Sequence, residues 1–388
     1  MVVVALAALS YTRQSFSRDA EQLQIGGGKI LIEFESALSP PLRKLVLEWI
    51  TSSARAVSVY YVKFPVNEVH IDLHFFEGHG TRGGHTNGWN GATIKMNVGS
   101  LSTASDFAAD WVMTHEMVHL AFPSVPDAHH WIEEGLATYI EPIARARAGS
   151  LTSEKVWTDL VNGLPQGLPE PGDRGLDFTP TWGRTYWGGA LFCLLADVEI
   201  RKRTGNTKGL EDALRAILAA GGTIESDWPL LKALRIGDDA IGAPVLSKLY
   251  EKMKAAPSPV DLKALWQELG VERKEGRINF NDSAPLAAIR RAITKRANAQ
   301  AVIDQDRVER TKYATIDLCQ RSRSGEIAHS PRNRAQHRPS TTRCCSSLSI
   351  KPTSFGFSSC CTSSRKSKRT FQPAISAGSI RLSAPGQL

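Results

Sequence analysis

No stretch of the 388 residues approaches the roughly 18 uninterrupted apolar residues that a membrane-spanning helix needs. Cysteine is nearly absent from the first 310 residues, where Cys193 stands alone in an apolar run and reads as a core residue. That body therefore has no disulfide framework, and its cysteine reports no redox compartment. Positive charge is also missing where the formal net of +8 first suggests it. Residues 311–388 hold 13 Lys and Arg against Asp317 and Glu326, while the other 310 carry 34 basic and 37 acidic groups. The body is thus close to neutral, which argues against a nucleic-acid partner. With 42% hydrophobic and 22% charged residues, the chain is neither fibrous nor disordered throughout.

Periodicity is lost beyond Thr311. Sixteen serines, scattered arginines and the pairs Cys344-Cys345 and Cys360-Cys361 fill residues 311–388. Such a segment buries too little apolar area to offset its ordering entropy, so disorder is expected. The abrupt change also reads as a non-native C-terminus. As a basic segment it offers a salt-sensitive route to acidic surfaces, but aromatic residues are not interleaved with its charges. At the other end Met1 to Ser10, in a leader of about 20 residues, are small and apolar with no preceding positive charge. They read as the end of an export signal, placing the chain in the periplasm or outside the cell, or as a short apolar start to a cytoplasmic chain.

Between these ends the patterning changes once. Lys29 to Glu35 alternates as a strand does, and Val69 to Phe76 and Ala92 to Val98 predict two more. A helix is expected after Pro40-Pro41, with Leu42, Leu45, Val46 and Trp49 on one stripe. Gly78-His79-Gly80-Thr81-Arg82-Gly83-Gly84-His85 reads as a flexible loop with solvated histidines. It lacks the Gly-Lys-Ser/Thr ending of a phosphate-binding loop. Residues 21–104 thus form a small α/β unit. Residues 105–305 read as helical, and Arg201-Lys202-Arg203 before Gly205 is a helix-stop signal rather than a nucleic-acid contact. The fold class expected is α+β.

The chemistry lies in residues 106–141. Thr114-His115-Glu116-Met117-Val118-His119 contains His-Glu-x-x-His, on a helix that Ser105 can cap and Pro123 ends. Residues four apart share a helix face, so His115 and His119 can direct two imidazoles at one metal ion. Glu116 then lies where its carboxylate can reach metal-bound water. A zinc site needs a third protein ligand. Glu134, fifteen residues past His119 in Trp131-Ile132-Glu133-Glu134-Gly135-Leu136-Ala137-Thr138-Tyr139, opens a second helix that can fold back to supply a carboxylate.

This combination resembles the gluzincin metallopeptidases, notably the aminopeptidase N and glycyl aminopeptidase types. Gly183-Arg184-Thr185-Tyr186-Trp187-Gly188-Gly189-Ala190, the helix Leu194 to Arg201 and Gly209 to Leu214 are similar to glycyl aminopeptidase motifs, so the resemblance spans about residues 105–220. It implies a thermolysin-like, mainly helical catalytic domain behind the N-terminal unit, with one Zn2+ per chain on His115, His119 and Glu134. It further implies peptide hydrolysis with Glu116 as general base and Tyr186 as oxyanion stabiliser, acting on peptide or protein substrates. The family's Gly-Ala-Met-Glu-Asn substrate strand has its nearest counterpart in Gly91-Ala92-Thr93-Ile94-Lys95, making Gly91 and Ala92 the candidate substrate-binding residues. That stretch lacks the glutamate that holds a substrate's amine. The competing expectation is therefore a zinc-binding protein that holds peptides without turning them over.

Several neighbours have plainer readings. His129 and His130 are expected at the rim, with substrate contact or support of a metal ligand as the alternative, Glu133 in solvent, and Asp197 and Glu199 in structural ion pairs. Thr138 and Glu141 are the helical-position candidates to accept from the second nitrogen of a ligating imidazole.

Overall fold

The computed structural model describes residues 19–35 and 37–298, with the backbone alone of 309–312. The expected leader and most of the expected disordered tail lie outside the described residues. The chain divides into two units after Gly325, and the second lies wholly outside them. Among the described residues no helix is long and apolar enough to cross a membrane.

The fold is α+β. Strands β1 (Asp19–Ile25) and β2 (Gly28–Phe34) form a hairpin, and helix α1 (Pro40–Tyr61) follows, starting on the proline pair. Strand β3 (Glu68–Phe76) lies parallel to β2, and β5 (Ala92–Gly99) lies parallel to β3. Between them in sequence, β4 (Thr81–Asn87) runs antiparallel to β5 at the edge of the sheet. Alternate residues Val69, Ile71 and Leu73 of β3 and Ala92, Ile94, Met96 and Val98 of β5 are buried. They share one core with Val46, Trp49, Ile50 and Val57 of α1 and with the helices that follow.

The segment expected to be a loop is therefore partly strand. Two glycines and an asparagine leave β4 little strand propensity, but pairing with β5 satisfies its backbone and overrides that weakness. A register irregularity between Thr81 and Gly84 takes up Gly83 at positive φ, as a bulge does.

The helix expected to start at Ser105 is two. Thr103 caps α2 (Ala104–Ala109) in a reciprocal box with Asp106, and the chain breaks at Asp110 before α3 (Val112–His119). The Asp110 carboxylate causes and stabilises this break. It accepts the Met113 N–H at 3.1 Å, the Trp49 indole N–H at 2.9 Å and the Thr81 hydroxyl at 2.6 Å. One side chain thus ties the start of α3 to both α1 and β4.

Helix α4 (His130–Ala148) packs against α1, α3 and α6 (Gly189–Arg203). Its contact with α6 is a glycine-to-glycine approach. A Cβ on Gly135 would fall on the Gly189 backbone, and a Cβ on Gly189 would strike the Trp131 carbonyl and the Gly135 backbone. Gly135→Ala is accordingly expected to cost about 2–3 kcal/mol through overpacking, lowering Tm by about 5–10 °C in a thermal melt. A melt within a degree or two of the parent would contradict the close approach.

Beyond α4 come α5 (Ser153–Gly163), α7 (Leu210–Ala219), α8 (Leu230–Ile241), α9 (Val245–Met253), α10 (Leu262–Leu269) and α11 (Ala287–Ile293). A short hairpin of β6 (Val271–Lys274) and β7 (Arg277–Phe280) interrupts the expected helical run. Strand β8 (Glu309–Lys312) pairs with β1, one residue past the Thr311 boundary at which periodicity fails. The basic triplet ending α6 does close the helix, but Arg201 is buried. It pairs with Asp197 at 2.7 Å and with Glu211 of α7 at 2.8 Å, and Arg147 of α4 reaches Glu211 at 3.0 Å. Glu199 pairs with Arg203.

Candidate metal centre

Helix α3 places His115 and His119 one turn apart, with ring centroids 5.0 Å apart. The N-terminal part of α4 faces them and delivers Glu134. Its Oε2 lies 3.1 Å from His115 Nε2 and 3.7 Å from His119 Nε2. One ligand atom from each of the three residues lies within 4.8 Å of the others, and no other such group occurs among the described residues.

The donor set fits zinc. Bonds of ~2.0–2.2 Å at tetrahedral angles set ligand atoms ~3.3–3.6 Å apart, and the separations of 3.1 and 3.7 Å to Glu134 bracket that range. His115 and Glu134 are buried and His119 is partly so, and the cluster offers two imidazole nitrogens and one carboxylate oxygen. Burial drives both imidazole pKa values down. In His115 the hydrogen bond and charge of Glu134 outweigh it and the value rises, whereas in His119 burial prevails. Burial would raise the Glu134 carboxyl, but the His119 charge and hydrogen bonds from His115 and His130 hold it far below the usual carboxylate range.

Glu116 is buried beside this cluster without belonging to it. Strand β4 holds it: the Thr86 hydroxyl is 2.6 Å from Glu116 Oε2 and 2.9 Å from its backbone oxygen. Gly84 makes room for the side chain, since a Cβ there would lie 2.6 Å from Glu116 Cγ and 2.5 Å from Met96 Sδ. The strand against Glu116 is thus β4. Ala92 is buried in the sheet opposite Val69, and Gly91 occupies the turn before β5.

Tyr186 sits on a π-helical turn, Arg184–Gly188, that leads into α6. Such turns redirect side chains and are frequent at functional sites. Its ring lies near-parallel to His115 at 6.2 Å and to Trp182 at 5.7 Å. Burial first, then the charges of Glu134 and Glu116, push its hydroxyl pKa up, so it remains a proton donor. Trp111 meets His115 edge-on at 5.3 Å. Trp111 and Trp182, the neighbours of His115 and Tyr186, are each about half exposed, at 51% and 56%. Trp187 packs its ring against Gly163, as a structural aromatic would.

No protein-family model matches the chain, and no curated protein matches it. Solved structures do. An M1 zinc metallopeptidase from Deinococcus radiodurans is 16% identical, with a TM-score of 0.39 over 63% of this chain and 54% of that one. A mutant of an M1 zinc metallopeptidase from the same organism, bound to a Tyr-Ser-Ala substrate, gives 17% identity and a TM-score of 0.42 over 63% and 53%. An aminopeptidase N family protein from Idiomarina loihiensis gives 13% and 0.45 over 65% and 49%. The chain spans about half the length of these structures.

Three features follow from tertiary contacts rather than from local sequence. Thr86 follows directly on the expected loop Gly78 to His85, and the antiparallel pairing of β4 carries it to Glu116. His130, expected at the rim, lies with its Nε2 3.2 Å from Glu134 Oε1 and its Nδ1 2.9 Å from Glu133 Oε2. Those two hydrogen bonds push its pKa up to about 10. Its i, i+3 and i+4 spacing to the two glutamates was the available signal. His115 Nδ1 is buried with no hydrogen-bond partner, so neither Thr138 nor Glu141 serves as its acceptor. Glu141 instead accepts from Arg145 Nη1 at 2.8 Å, and burial, opposed by that arginine, pushes its carboxyl up to about 7.

Proposed function

We propose that the chain is a zinc-dependent peptidase of the gluzincin type, with a thermolysin-like catalytic domain holding one zinc ion on His115, His119 and Glu134. The observation that carries this reading is the convergence of two imidazoles and one carboxylate within 4.8 Å, with Glu116 adjacent but outside the set. Zinc in such a site supplies a Lewis acid and water whose pKa is lowered toward ~7.

The chain's own residues divide the remaining work. Thr86 engages Glu116 Oε2, and no hydrogen bond among the described residues engages Oε1. Oε1 is therefore the atom to accept a proton from water and return it to the leaving amine. The protonated Tyr186 hydroxyl donates to the oxyanion that develops on the substrate carbonyl. A peptide suits the site because the outer edge of β4, the strand touching Glu116, is unpaired among the described strands. Its free N–H and C=O groups can hold an extended backbone as an added strand.

One observation favours a second reading, a zinc-binding protein without turnover: β4 carries Arg82 and His85 but no carboxylate to hold a terminal ammonium. Digestion of a peptide library separates the two. Cleavage is expected that stops on chelation and returns with added zinc. Cleavage indifferent to the chelator would contradict the proposal, and zinc binding without cleavage would favour the second reading.

A further inference from the structure

The two oxygens of Glu134 have different partners. Oε2 faces His115 and His119 at 3.1 and 3.7 Å, while Oε1 is 3.2 Å from His130 Nε2. The other nitrogen of His130, Nδ1, is 2.9 Å from Glu133 Oε2. Glu133 in turn accepts the Val125 N–H on Oε1 at 3.1 Å. Val125 lies in the turn that joins α3, the histidine helix, to α4, the carboxylate helix. A continuous chain of contacts therefore runs from the turn through Glu133 and His130 to the metal-facing carboxylate.

A glutamate left to itself does not choose between its oxygens, because its terminal torsion is broad and two-fold. Burial excludes one face of Glu134 from water but does not by itself say which oxygen meets a cation. From this geometry we infer that His130 is a positioning residue: it occupies Oε1 and so makes Glu134 a one-oxygen ligand. A carboxylate that spends both oxygens on the cation fills a coordination position that a catalytic zinc keeps open for water or substrate. Glu133 completes the device by orienting the His130 ring from the opposite side. The inference rests on the reading of His115, His119 and Glu134 as zinc ligands.

The test measures zinc affinity of the full chain by competition with a chromophoric chelator, alongside the visible spectrum of the cobalt-substituted protein. His130→Ala removes the ring, His130→Phe keeps a ring without N–H groups, and His130→Gln restores a donor to Glu134. Hydrogen-bonding partners of metal ligands are typically worth 10–100-fold in affinity. The Ala and Phe variants are expected to bind zinc about 10–100-fold more weakly and to show an altered cobalt band. The Gln variant should return near the parent in both readouts. If the parent binds zinc and the Ala and Phe variants match it in affinity and spectrum, the positioning role is wrong while the zinc site stands. Equal losses in all three variants make the residue's role one of packing and overturn the inference. A parent that binds no zinc removes the underlying reading and this inference together.

Discussion

Peptide hydrolysis is expected to fall by about 10²–10⁴-fold in Glu116→Gln, the range that general acid–base catalysis supplies. Zinc content and thermal stability should stay at the parent level. Glutamine keeps the shape of the side chain and an oxygen for the Thr86 hydroxyl, so the contact between β4 and α3 survives. What is lost is an atom able to take a proton. Because Glu116 stands outside the metal-binding group, its replacement separates chemistry from metal binding. Steady-state rates on one cleaved peptide, with zinc measured on the same preparation, decide the matter. Hydrolysis at the parent rate would remove Glu116 from the mechanism.

The second large effect belongs to Glu134→Ala, which deletes the single carboxylate from the donor set and leaves His115 and His119 facing each other. Zinc affinity is expected to fall by more than the ~100-fold upper range seen for groups that merely hydrogen-bond a ligand. The loss should also appear in stability. With free zinc at 100 times Kd, binding stabilises the folded chain by about 2.7 kcal/mol. That corresponds to about 5–10 °C in Tm for a body of this size. The parent should therefore melt lower after chelation, and Glu134→Ala should melt at one temperature with or without zinc. A variant still stabilised by zinc as strongly as the parent would place the ion elsewhere.

The sequence made the centre of the site legible because helical geometry is local. His115 and His119 are four residues apart, so their shared face follows from 3.6 residues per turn. Glu134 was accessible for a related reason: a short turn between two helices leaves few ways to pack them. The strands β2, β3 and β5 also declared themselves by alternation. What stayed hidden depends on contacts between residues distant in the chain. The role of Asp110 requires Trp49 and Thr81, drawn from a helix and a strand that precede it by 61 and 29 residues. Strand β4 has few strand-forming residues and exists through its partner, so the loop expected over Gly78 to His85 gives no sign that Gly84 and the neighbouring Thr86 meet Glu116. His130 does lie at the rim, half exposed, but both its nitrogens are engaged, which its i+3 and i+4 spacing to Glu133 and Glu134 permits without requiring.

The aromatic surroundings give the site an asymmetry. Trp111 approaches His115 edge-on, while Tyr186 lies near-parallel to both His115 and Trp182. Both indoles remain about half exposed, so apolar area lies next to His115 and Tyr186.

The most direct measurement is an anomalous-difference map at the zinc edge from crystals of the parent chain grown with zinc. The account predicts one peak, bounded at ~2.0–2.2 Å by Nε2 of His115, Nε2 of His119 and one oxygen of Glu134. No peak between α3 and α4, or a Glu134 carboxylate turned away from the histidines with zinc bound, would contradict it.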